Sequence, residues 1–158
     1  NNDIDSTPEI VNISSESLLL TLKSLHDLDR KSISTLLTEI LSSQHMYYDA
    51  WISIQNNPEH HAEICTTICS TLYEIMLAFE LSSLKLGGKY LQLFCLIVKH
   101  FPSSVVVKQT KQLHFSKLLM QLLIKYTAAT EYCLRVFNHL LVLEPSMMQD
   151  ICTAGRLY

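Results

Sequence analysis

Residues 29–41 read DRKSISTLLTEIL. Ile33, Leu36, Leu37, Ile40 and Leu41 recur at i, i+3, i+4, i+7 and i+8, with serine, threonine and glutamate between them. That period lines apolar side chains along one side of an α-helix; on a pleated strand, alternate residues would share a face instead. Asp29 stands just before the pattern, where a carboxylate can accept the unpaired amide hydrogens of a first helical turn. The stretch therefore predicts an amphipathic helix capped by Asp29.

The same period extends in both directions. Upstream, Leu18, Leu19, Leu22 and Leu25 predict a helix from Ser14 to about His26-Asp27. Downstream, a helix is expected over 44–55, and Asn57-Pro58 opens the next, because proline lacks the amide hydrogen that a first helical residue cannot use. That helix carries His61, Ile64, Cys65, Ile68, Leu72, Ile75, Met76 and Phe79 on one face. It should end before Gly87-Gly88, the only glycine pair. Lys89 to Phe101 predicts a further helix, stopped by Pro102. Ser103 and Ser104 then cap a long segment to Tyr126, bent in its middle. Thr130 caps a helix to Leu143, Pro145 stops it, and Ser146-Met-Met-Gln149 has the form of a capping box opening the last one. Residues 1–13 form a polar leader, and residues 14–158 one helical domain.

Composition agrees with a helical chain. Apolar residues make up 48% and charged residues 17%, with three glycines and four prolines in 158 residues. Leucine is the dominant apolar residue, and long unbranched helix formers outnumber the β-branched residues that strands favour. A chain of this length buries roughly two-thirds of its unfolded surface, which excludes disorder for so apolar a composition. The longest apolar run, Leu91 to Val98, falls far short of the ~20 residues a bilayer requires. The first residues are polar and acidic, without a secretory signal, and both ends read as cuts from a longer protein. The five cysteines form no C-x-x-C pair, and all lie in apolar helical patterns. They read as reduced thiols of an intracellular protein, nuclear or cytoplasmic.

The prolines expose a repeat. Pro58, Pro102 and Pro145 are 44 and 43 residues apart, each between two helical patterns. The residues 11, 8 and 4 positions before each are Tyr47, Ala50 and Ile54, then Leu91, Phe94 and Val98, then Leu134, Phe137 and Leu141, all apolar and on one helical face. Twelve positions before stand Met46, Tyr90 and Cys133. A helix, a proline-marked turn and a second helix at this period resemble the armadillo/HEAT class, whose repeats run ~40–47 residues. The resemblance covers residues 29–158. It implies an all-α fold of stacked antiparallel helix pairs, about seven to eight helices, whose neighbours bury one another's apolar faces. In such families the inner face docks partners. The glycine that armadillo repeats place between their first two helices is missing from most units, so a compact helical bundle remains the alternative architecture.

No catalytic constellation is apparent. There is no glycine-rich phosphate loop, no G-x-S-x-G elbow and no cysteine beside a base and its orienter, so the chain reads as a non-enzyme without cofactor. One metal-like face exists: His61, Cys65 and Cys69 at i, i+4 and i+8, with His60 adjacent. The same three residues continue the apolar stripe of Ile64, Ile68 and Leu72, and core packing is the preferred account, with no metal assigned. Trp51 with Tyr47 and Tyr48 divides in the same way between a docking patch and core, and core is preferred.

Charge is asymmetric. Residues 1–80 carry 12 acidic and 3 basic side chains (net −9), and residues 81–158 carry 3 acidic and 9 basic (net +6). Within the basic half, Lys108, Lys111, His114, Lys117, Gln121 and Lys125 follow the helical period opposite Leu118, Leu119 and Leu122. A cationic stripe on an inner helix suits an acidic peptide segment or a phosphate backbone, although no aromatic alternates with it for base stacking. The alternative is an ordinary solvated face. In the acidic leader, Glu9-Ile10-Val11-Asn12-Ile13 alternates as a strand-adding segment would. The expected function is a protein–protein interaction scaffold within a larger assembly. Two alternatives stand beside it: a domain contacting nucleic acid through its basic half, and a homo-oligomerisation domain.

Overall fold

The computed structural model describes residues 12–79, 84–125 and 130–156. Among them the chain forms nine α-helices and one short 3-10 helix, with no β-strand. In order they are α1 (Ser15–Lys23), the 3-10 helix (Ser24–Asp27), α2 (Arg30–Ser42), α3 (Gln44–Asn56), α4 (Pro58–Phe79), α5 (Leu84–His100), α6 (Ser103–Gln112), α7 (Phe115–Lys125), α8 (Thr130–Leu143) and α9 (Met147–Arg156). The all-helical expectation holds. No helix of the described residues is long and apolar enough to cross a membrane.

The local signals behave as their chemistry requires. The Asp29 carboxylate accepts the Ser32 amide hydrogen at 2.8 Å and opens α2, and the Ser14 hydroxyl accepts that of Ser17 at 3.2 Å and opens α1. Asn57 closes α3, its amide donating back to the Ser53 carbonyl at 3.0 Å, and Pro58 begins α4 as its first residue. Leu18, Leu19, Leu22 and Leu25 are wholly buried, as are Ile33, Leu37 and Ile40 of the opening stretch or nearly so. The leader's last two residues lie along α3: the Ile13 amide donates to the Met46 carbonyl and Asn12 to the Asp49 carboxylate, both at 3.0 Å. The rest of the strand-adding segment lies outside the described residues.

Two layers emerge from the neighbours each helix keeps. Helices α3, α5 and α8 pack in succession, while α4 packs on α6 and α7 on α9. Helix α1 lies against both α3 and α4, and α2 against α3 and α5. Helix α5 is the centre, touching α2, α3, α4, α6 and α8. Polar bonds tie the seams: Lys89 donates to Ser34 at 3.0 Å and Thr38 at 2.6 Å, joining α5 to α2, and Ser70 donates to Gln109 at 3.2 Å, joining α4 to α6.

Four local expectations are overturned. Helix α4 ends before Gly87-Gly88, as expected, but the pair is not the break itself: both lie inside α5, at negative φ, where burial of Tyr90, Leu91, Leu93 and Phe94 overrides their poor propensity. Ser103 and Ser104 do not cap α6; Pro102 takes the position before it, and Ser103 is already helical. Ser146 does not form a capping box; its hydroxyl donates to Glu144 at 2.9 Å. Finally, the repeat register holds through two units and slips in the third. Tyr47, Ala50, Ile54, Leu91, Phe94 and Val98 are all buried, but Leu134 is 54% exposed and Cys133, Val136, Phe137 and Leu140 form the buried face of α8. With α5 as its main neighbour, α8 is free to turn its larger apolar surface toward that one side.

Candidate functional site

The long segment expected over 103–126, bent in its middle, is two helices over its described residues. Helix α6 ends at Gln112, and His114 adopts φ 55°, the only positive φ of a non-glycine residue among the described residues. Histidine is among the residues that visit this left-handed region at modest cost. The joint is closed by backbone bonds from the His114 amide to the Lys111 carbonyl (3.3 Å) and from the Lys117 amide to the His114 carbonyl (3.0 Å). What the turn achieves is the placement of Phe115. Its ring stacks on Phe94 of α5 with centroids 4.5 Å apart, and meets the edge of Tyr73 of α4 at 5.0 Å.

The break splits the stripe. Lys108 and Lys111 stand on α6, His114 at the joint, and Lys117, Gln121 and Lys125 on α7. Leu118, Leu119 and Leu122 are buried behind them, as the period required. Lys111, His114 and Lys117 converge, together with Thr110, Ser116, Asp150 and Thr153, on a groove of about 420 Å³ between the α6–α7 joint and α9. Lys108, Gln121 and Lys125 do not line it; Lys108 and Lys125 are exposed and Gln121 is half-buried.

The groove is not uniformly cationic. Asp150 lines its α9 side, and Lys111 donates to the Ser146 hydroxyl at 3.4 Å, which in turn donates to Glu144. Those bonds from Ser146, and then the charge of Lys111, hold the Glu144 carboxyl below its ordinary pKa. Asp150 and Thr153 were not singled out in the sequence, and Ser146 only as the start of a capping box. They come from the last helix and its lead-in, more than 25 residues further along the chain than Lys117, and no local pattern marks them as groove residues.

A second basic groove was also missed. Lys99, Arg135 and His139 line a space of about 270 Å³ with Leu41, Gln44 and Tyr132, where α5 and α8 meet the α2–α3 corner. Here Gln92 donates to the Tyr132 hydroxyl at 2.9 Å, and Arg135 pairs with Glu131 at 2.6 Å.

The aromatic trio divides. Trp51 and Tyr47 are buried, with Trp51 stacked on His100 at 5.3 Å, while Tyr48 is 63% exposed. The His61, Cys65 and Cys69 face turns into the core, and burial pushes both thiols up to about 12, so they stay protonated and apolar near neutrality. Of the cysteines, only Cys152 is exposed among the described residues. No protein-family model, curated protein or solved structure matches the chain.

Proposed function

We propose that the chain is a non-enzymatic protein–protein interaction module, built of stacked armadillo/HEAT-like helix pairs. In this reading it holds an acidic peptide segment of a partner along the seam of α6, α7 and α9. The observation that carries it is the convergence of Lys111, His114 and Lys117 on one groove from two helices whose other faces are locked into the core. Two lysines against one aspartate leave a net positive lining. The hydroxyls of Thr110, Ser116 and Thr153 add donors that suit carboxylates and backbone carbonyls. The successive contacts of α3, α5 and α8, with α4–α6 and α7–α9 beneath, support the stacked-pair architecture.

The test is anisotropy titration of a labelled glutamate-rich peptide, run beside a labelled single-stranded oligonucleotide. Lys111→Glu with Lys117→Glu should weaken the peptide about tenfold or more, since reversing two charges turns attraction into repulsion. An oligonucleotide bound more tightly than the peptide, with affinity falling steeply as salt rises, would replace this reading with nucleic-acid binding. Peptide affinity unchanged by the double substitution would remove the groove from the function altogether.

A further inference from the structure

Glu16, on the first turn of α1, meets His60 and His61, on the first turn of α4. One ligand atom from each of the three lies within 4.8 Å of the others. We propose that Glu16, His60 and His61 form a binding site for a zinc-class divalent cation, with a fourth position open to solvent or to a partner's side chain.

Three observations support the site. The Glu16 Oε1 to His60 Nε2 separation is 3.4 Å, long for a hydrogen bond. Two ligands each 2.0–2.1 Å from a tetrahedral zinc would stand about 3.3–3.4 Å apart. His61 is only 1% exposed, and its buried Nδ1 has no hydrogen-bond partner among the described residues. A buried imidazole nitrogen without a partner is costly, and a cation ligated at Nδ1 would relieve that cost. Glu16 is also held from behind. The Ser15 hydroxyl donates to its other oxygen, Oε2, at 3.1 Å, and Ser53 of α3 donates to Ser15 at 3.4 Å. An ordered carboxylate with one oxygen restrained and the other facing a histidine is the arrangement that outer-shell bonds create around a metal.

The ionisation states agree with the geometry. The Glu16 carboxyl lies below its ordinary pKa, chiefly through hydrogen bonds to its own backbone amide and to Ser15. Burial, then the neighbouring His60, lowers His61 and keeps a lone pair available near neutrality. The Glu16 charge also offsets the positive ends of the two helices that start here. The His61–Cys65–Cys69 face is not this site, because both thiols lie in the core.

The experiment is calorimetric titration of the full chain with zinc chloride, in a Cys152→Ser background that removes the exposed thiol. Cobalt(II) is then substituted, to look for the intense visible bands of a four-coordinate ion. One equivalent should bind saturably. Glu16→Gln and His60→Ala should each weaken it about tenfold or more while far-UV circular dichroism stays unchanged, since both side chains are exposed. Absence of saturable uptake, or uptake unaltered in both variants, would overturn the proposal. Neither result bears on the groove at Lys111 and Lys117, which lies on other helices.

Discussion

The Asp29 cap shows how a single side chain acts through its protonation. Hydrogen bonds from the Ser32 and Lys31 region hold its carboxyl below the ordinary value of 3.8. A lowered carboxylate stabilises the fold above its unfolded pKa and loses that contribution as pH falls through the folded one. Asp29→Ala should therefore lower the urea midpoint at pH 7, and the gap from the parent should close as pH drops well below 3.8. The His100 contribution is lost in the same direction of pH, although there the neutral form is the one favoured. Burial, and then Lys99, depress its pKa below 6.5, so the folded state favours the neutral ring and stability declines as pH falls below 6.5. The chain has one tryptophan, and it stacks on this ring, so protonation has a local reporter. Trp51 emission should be quenched on acidification with a midpoint below 6.5, and His100→Gln should abolish that step. The Asp29 cap was legible in the sequence because a cap acts within three residues. The Trp51–His100 stack was not, because it joins residues one repeat apart.

At the scale of the element, helix identity was legible and helix boundaries only where punctuation was chemical. Pro58 and Asp29 mark starts by removing a donor or supplying an acceptor. Gly87-Gly88 misled because glycine only weakens a helix, and α5 has Tyr90, Leu91, Leu93, Phe94 and Ile97 buried just beyond it. A Cβ built on either glycine meets nothing within 4 Å, and neither has positive φ. Gly88→Ala should thus stabilise the protein by about 0.5–1 kcal/mol, read as a raised urea midpoint with an unchanged slope. A loss of stability instead would place a turn at this point of the chain. The break at His114 escaped precise placement for the converse reason. Its residues are ordinary helix formers, and the turn is set by where Phe115 must go.

At the scale of the whole molecule, the question is whether the packed helices form one cooperative body or several semi-independent ones. The core was legible as period and proline spacing. The groove was not, because its walls come from helices a repeat apart, and it exists only once they pack. Phe115 joins the two views, since its ring touches Phe94 of α5 and Tyr73 of α4 at the point where α6 gives way to α7. Helix α5 in turn contacts helices on both sides of it along the chain. Phe115→Ala should cost about 3–5 kcal/mol, the usual loss for a buried aromatic. Against a total of about 5–15 kcal/mol for a domain, that is a large share. If α5 couples the whole, the loss must spread. Trp51 fluorescence, which reports on α3, and circular dichroism at 222 nm, which reports on all helices, should then shift their midpoints together and remain coincident. A variant in which the Trp51 transition stays put while the helical signal splits in two would show that the acidic first half folds without the basic second.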